Sequence, residues 1–377
     1  MIDLGDSILL PGLVNAHCHL DYTDLAGQLA PPRSFPDWIK AILAAKASWS
    51  DEDFFRSWQR GAQQLLTHGT TTVANIETLP HALSSLRAST PLRIHSFLEL
   101  TGVRLRKEPS VLVEEAIQAL DALPVHPGAI GLSPHAPYST VPALLSIAAR
   151  EARLRGMRLT THLAESREEF EMFMFRRGPM HDWLHSQRPD SDCGLGSPIQ
   201  HAARHGLLGP DFLAVHVNYL WDDDVRILAQ HGVSVVHCPG SHAYFRHQRF
   251  AGEALAAAGI NLCLGTDSLA STRVQPGVPT ELSMFAEMAG LAAHDTTINS
   301  TEILRRATVN GARALGLEHE IGSLQPGLLA DLCVIPYRAS DNDVSDAIVH
   351  HQGPASATWI GGMPSWIHPA RTDLLIP

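Results

Sequence analysis

"PGLVNAHCHLDYT", residues 11–23, sets two histidines one residue apart at the end of a run that otherwise reads as a buried strand. Residues two apart on a strand point to the same side, so His17 and His19 offer two imidazoles to one place. An ion of the zinc type takes three protein groups with a water, or four, so a lone pair of this kind would read as two ordinary core histidines. The reading turns on whether later segments bring more ligands to the same end of the same sheet.

Seven further apolar, β-branched runs follow Leu13–Leu20. They are "TTTVANI" (70–76), "RIHSFLEL" (93–100), "AIGLSPH" (129–135), "RLTTHLAE" (158–165), "LAVHVN" (213–218), "VSVVHCP" (233–239) and "INLCLGTD" (260–267). Between them lie segments with apolar residues at helical spacing and a closing Gly, as in "VPALLSIAAREARLRG" and "DDDVRILAQHG". Eight β/α units predict a (β/α)8 barrel of the TIM type, and an open doubly wound sheet has the same local grammar. The polar residues separate the two. His17, His19, His135, His162, His216, His237 and Asp267 all fall toward the carboxyl ends of their runs. In a barrel those ends converge on one mouth, whereas an open sheet spreads them along a line. His162 and Asp267 are then natural completions of a ligand set begun by His17 and His19.

The barrel is expected over residues 13–319. A small β-sandwich appendage is expected from both termini, residues 1–12 with 320–377, where "GSLQPGLLADLCVI" and "SATWIGGMPSWIHP" read as short strands. The connection from Ser166 to Phe212 is long and carries Gly/Pro/Asp-rich "QRPDSDCGLGSP", the pattern of a lid. The 377 residues are 45% hydrophobic and 18% charged, which suits one large buried core. A net charge of -11 gives no sign of a nucleic-acid partner. The start "MIDLGDSILLPG" lacks the features of a signal peptide, and no run is long enough for a membrane span, so a cytoplasmic protein is expected. Cys18, Cys193, Cys238, Cys263 and Cys333 are odd in number and scattered, as expected of reduced thiols. Lysine occurs only at 40, 46 and 107.

In order along the chain, "PGLVNAHCH", "SPHAPYS", "THLAES", "AVHVN", "VVHCPGS" and "LGTDS" resemble the amidohydrolase superfamily, specifically its deaminase and chlorohydrolase branch. Its members include deaminases of S-adenosylhomocysteine and methylthioadenosine, of guanine and of aminofutalosine, and chlorohydrolases of triazines. The resemblance implies His17, His19, His162 and Asp267 as ligands of one divalent ion, zinc first and iron(II) second. It implies Glu165, His216 and Asp267 as the catalytic groups around the attacking water. Binuclear relatives bridge their metals with a carbamylated lysine on the fourth strand. Here that strand ends "GLSPHAPYS" and no lysine follows residue 107, which leaves a mononuclear site.

For recognition the resemblance implies His135 at the substrate base. His242, Ser268 and Arg104 are further expected substrate contacts, with Arg104 and Arg106 suited to a carboxylate through their planar forks. His242 stands where many relatives have Asn, and Arg246, His247 and Arg249 follow it. Trp183, Trp221 and Tyr244 are candidates to stack on a purine, and His237 to orient Asp267 or face the substrate. Relatives usually carry about 50 further residues before the paired histidines, a departure expected to reduce the appendage rather than the chemistry. The expected activity is deamination of a small-molecule amino-purine or adenosine-like nucleoside, by a chain that forms a monomer or a homo-oligomer. The alternatives are a chlorohydrolase or aminohydrolase of a triazine, guanine or pterin ring, and a non-catalytic binding barrel.

Overall fold

The computed structural model describes residues 2–103, 107–274, 277, 279–337 and 343–374. After β1 (Ser7–Pro11) come eight strands: β2 (Leu13–Cys18), β3 (Thr70–Glu77), β4 (Arg93–Leu100), β5 (Ile130–Pro134), β6 (Arg158–Leu163), β7 (Phe212–His216), β8 (Ser234–His237) and β9 (Asn261–Leu264). They pair in parallel in chain order and form the wall of a (β/α)8 barrel; each falls within the run the sequence marks except β3 and β7, which exceed theirs by one residue, Glu77 and Phe212. Helices on the crossovers pack against the strands through residues such as Leu132, Leu145, Leu159, Phe212 and Leu228, all fully buried. Gly156 and Gly259 each end a helix just before the next strand at φ +64 and +76, with nothing near the missing Cβ. Their task is the left-handed turn itself rather than close packing.

The barrel closes where the carboxyl ends of its first and last strands meet. Strands β2 and β9 are joined by a bridge between Cys18 and Asp267. Asp267 N donates to His17 O at 3.1 Å, and His19 N donates to Asp267 O at 3.4 Å. Asn15 ties the same seam through Thr266, donating to its hydroxyl at 2.7 Å and accepting from its N–H at 3.1 Å. A Cβ at Gly265 would stand 2.8 Å from His17 O, so the two chains can approach this closely only with glycine there.

The termini form one antiparallel sheet in the order β1-β10-β11-β12, with β10 (Leu332–Pro336), β11 (Ala357–Ile360) and β12 (Met363–Ile367). One face of it, with Ile8, Leu10, Cys333 and Ile335, packs on Met284, Phe285, Met288 and Ile303 of the barrel's helices. On the other face Val334, Ala357 and Trp359 cluster with Leu374 of the C-terminal turn, and Leu4, Leu332 and Ile367 pack against them. Arg93 on β4 forms a buried ion pair with Asp331, which also accepts from Gly361 N at 2.8 Å. That pair fastens the terminal sheet to the barrel. Among the described residues no helix is long and apolar enough to cross a membrane.

Removing one partner of a buried pair strands the other charge. Asp331→Ala is therefore expected to lower unfolding free energy by about 3–5 kcal/mol, read from urea denaturation.

Candidate active site

At the carboxyl ends of the strands, ligand atoms of His17, His19 and His162 lie within 4.8 Å of one another, and so do those of Glu165, His216 and Asp267. The two triads touch. Asp267 Oδ1 is 3.6 Å from His17 Nε2 and 3.7 Å from His19 Nε2, while His216 Nε2 is 3.4 Å from Glu165 Oε1. His19 Nε2 faces His162 Nε2 at 3.1 Å. All six side chains are buried.

Backbone strain aims these groups. Ala164, His216, Val217 and Asp267 have φ of +51, +77, +52 and +55, a region that non-glycine residues avoid. His216 ends β7 and the other three follow β6, β7 and β9, where each strand turns into its loop. Glu169, which the sequence reading passed over, holds the first of these turns. Its carboxylate accepts from Glu165 N at 2.8 Å and Ala164 N at 3.2 Å, while Ser166 Oγ accepts from Glu169 N at 3.1 Å. The spacing Ser166-x-x-Glu169 is the signature of a capping box, and it was legible in the sequence. Here the glutamate reaches past its own helix to the two peptides that orient Glu165. Asn218 adds a bond from the other side, donating to Glu165 O at 3.0 Å.

Burial divides the two carboxyls that face each other across the cluster. It pushes Glu165 well above the ordinary carboxylic range, helped by the negative charges of Asp267 and Glu169. Burial also opposes the ionisation of Asp267, yet the approach of His17 and the neighbouring His216 and His19 outweigh it and hold Asp267 well below that range. Burial likewise pushes His19 and His216 well below the usual imidazole range, and His162 down to about 3. Neutral imidazoles present lone pairs, as metal ligation requires. The Nε2 atoms of His17 and His216 have no hydrogen-bond partner among the described residues. Orphaned nitrogens beside a low-lying carboxylate are the donor set of a divalent ion, and His17, His19, His162 and Asp267 fit one.

A cavity of about 620 Å³ opens from this cluster and is lined by His19, His162, Glu165, Asp267, His135 and Ser268, among others. His135 is fixed through Nδ1 to Ser139 Oγ at 2.6 Å, its ring centroid 4.8 Å from that of His162. Trp183 also lines it, contributed by the long connection after β6, which folds into three short helices rather than one loop. His242 does not line this cavity. Its Nδ1 is bonded to Asn218 Oδ1 at 3.0 Å, and its ring sits beside His237 and His247 behind the wall. His237 stacks on Phe250 at 4.0 Å, and its ring makes no hydrogen bond to Asp267 among the described residues. Tyr244 packs on Phe245, Arg249 pairs with Asp295, and Trp221 and Arg246 line a separate outer recess. Arg104 and Arg106 lie outside the described residues. Tyr22, Trp38, Lys46 and Glu99 line the cavity without having been singled out in the sequence. Glu99 carried a signal, since it sits at the carboxyl end of its strand like the ligands.

The family described as "Amidohydrolase family" matches residues 8–362. The chain belongs to the amidohydrolase family. This amidohydrolase is thus a hydrolase, and it is 30% identical over 360 residues to a 5-methylthioadenosine/S-adenosylhomocysteine deaminase of Moorella thermoacetica, covering 93% of this chain and 79% of that one. A protein of the same name from Teredinibacter turnerae is 29% identical over 379 residues, covering 96% and 80%. Among solved structures, an adenosine deaminase from Xanthomonas campestris with bound zinc superposes with a TM-score of 0.83 at 26% identity, covering 98% of this chain and 82% of that one.

Glu169→Gln exchanges one accepting oxygen for a donor and leaves a buried N–H unpaired. The expected cost is about 1–3 kcal/mol of stability at neutral pH. Burial lifts Glu169 from the usual 4.5 to about 8, so the native state holds its proton more tightly than the unfolded chain does. Its contribution is full below pH 4.5 and is lost as pH rises through about 8. Urea titrations between these pH values are expected to show a shallower fall for Glu169→Gln than for the unaltered protein.

Proposed function

We propose that the chain is a metal-dependent aminohydrolase. Its substrate is an amino-substituted purine or adenosine-like nucleoside of the S-adenosylhomocysteine/methylthioadenosine or aminofutalosine type, hydrolysed at a cyclic amidine to the oxo product and ammonia. The observation that carries this reading is the convergence of His17, His19 and His162 with Asp267 in one buried cluster, where Glu165 stands 3.4 Å from His216 and the two carboxyls are pushed in opposite directions. An environment that separates two titratable groups in this way assigns an acid and a base. The names of the relatives and the zinc of the Xanthomonas structure support the same class.

His17, His19, His162 and Asp267 would hold the ion, for which zinc is the first choice, and when bound it supplies Lewis acidity that brings the pKa of a water toward neutrality. Asp267, ionised, accepts the proton that the attacking water gives up. His216, whose Nε2 is otherwise orphaned, orients that water from the side of Glu165. Glu165, whose ionisation burial disfavours, delivers a proton to the ring nitrogen next to the carbon under attack. Asp267 passes its proton to the amine, which leaves as ammonia as the carbon–oxygen double bond forms, and the proton released by the added hydroxyl returns to Glu165. His135, pinned by Ser139, faces the substrate ring.

Ammonia release is measured over adenosine, methylthioadenosine, S-adenosylhomocysteine, aminofutalosine and guanine. Turnover of an adenosine-type compound is expected, and silence across the whole panel overturns the reading. Glu165→Gln is expected to lower kcat by about 10²–10⁴-fold with the fold intact. Chelation is expected to abolish turnover, and one equivalent of zinc per chain to restore it, with metal content followed by elemental analysis.

A further inference from the structure

Behind the cavity wall, polar side chains that the proposed mechanism does not use converge on the loop that carries Glu165. Glu169 takes the N–H groups of Ala164 and Glu165. Asn218 takes the carbonyls of the same two residues, its N donating to Ala164 O at 2.9 Å and its Nδ2 to Glu165 O at 3.0 Å. Every main-chain N–H and carbonyl of this pair is thus held. The main-chain bond of Asn218 follows from the path of its own loop. Its buried side-chain amide could turn over, and only one of the two orientations bonds Glu165 O.

His242 decides which. It sits half-buried on the helix Pro239–Phe245, with Nδ1 3.0 Å from Asn218 Oδ1. A carbonyl only accepts, so Asn218 must turn its NH2 to Glu165 O and its Oδ1 to His242, and His242 Nδ1 must then carry a hydrogen. Among the described residues Asn218 Oδ1 has no other partner. The helix ends at Arg246 with φ +56, and the chain doubles back to add two more ties. Gln248 Nε2 donates to Asn218 O at 3.1 Å, and His247 Nδ1 stands 3.2 Å from Tyr219 OH. The loop after β8 therefore grips the loop after β7, which grips the loop after β6.

We propose that His242 is a positioning residue for the reaction, acting through Asn218 on the peptide of Glu165 and so on the direction in which the Glu165 carboxyl enters the cavity. His242 itself stays outside that cavity. Its role rests on the reading of Glu165 as the proton donor, and it takes the place of the sequence expectation that His242 contacts substrate.

Covalent geometry supplies the test. Counting bonds from Cβ, the Nδ2 of asparagine matches the Nδ1 of histidine, and the Nε2 of glutamine matches its Nε2. His242→Asn therefore keeps the donor to Asn218, and His242→Gln misplaces it. The zinc-loaded full chain is assayed with adenosine and methylthioadenosine. His242→Ala and His242→Gln are each expected to lower kcat by about 10–100-fold with KM within about 2-fold, and His242→Asn to stay within about 3-fold of the unaltered enzyme. On a Glu165→Gln background, His242→Ala is expected to cost less than about 2-fold more, because the group it aims is gone. Zinc content and urea unfolding check the site and fold of each variant, and if His242→Ala fails to fold, the contrast between Asn and Gln decides alone. Full activity in His242→Ala, an equal loss on both backgrounds, a loss in KM alone, or glutamine serving as well as asparagine overturns the positioning role. If neither nucleoside releases ammonia, the deaminase reading fails separately and amide hydrogen exchange decides. The N–H groups of Ala164 and Glu165 are expected to exchange about 10-fold faster in the Ala and Gln variants than in His242→Asn and the unaltered chain, and equal protection in all four overturns the role.

Discussion

The interaction on which the rest of the molecule depends is the seam between the first and last barrel strands. Peptides of His17, His19 and Asp267 exchange hydrogen bonds across it while their side chains point into the cluster. Closure and site assembly are thus one event. Residues separated by about 250 positions are brought within bonding distance because the sheet must meet itself, and Gly265 leaves the room for it. The bridge is short, so Asn15 and Thr266 reinforce it with two side-chain bonds.

Electrostatics then differentiate what topology has gathered. The same burial acts on Glu165 and Asp267, and the outcome differs because of neighbours. Glu165 has negative groups beside it, whereas Asp267 has imidazoles. Glu165 and Glu169 have no lysine or arginine partner among the described residues, and Glu169 satisfies its oxygens with peptide N–H groups instead. A carboxylate bonded to backbone in this way is a stiff support, since the peptides it holds cannot rotate away.

Much of this was written plainly in the sequence. The eight strands were legible because each is a short β-branched run with a polar residue at its carboxyl end, and His17, His19, His162, Glu165, His216 and Asp267 all lie at those ends. His242 and His237 misled for a physical reason. Proximity in sequence to the mouth does not fix the direction of a side chain, and these rings turn behind the wall toward Asn218 and Phe250. Lys46 was illegible because it arrives on a crossover helix, whose face toward the cavity depends on how the helix docks. Glu99 had the right position but lacked a partner in the sequence to give it meaning. The terminal sheet was visible as strands, while the cover that Leu374 gives it depends on the last turn of the chain.

Four residues near the reacting groups, Ala164, His216, Val217 and Asp267, sit where L-amino acids are sterically uncomfortable. That discomfort is sustained by the surrounding hydrogen bonds, which makes this end of the barrel a reservoir of conformational tension. Selection for heat resistance would find its easiest gains there, by substitutions that let these turns relax. Each such gain would slacken the aim of a reacting group, so in this protein robustness and turnover should trade against each other at these four backbone positions.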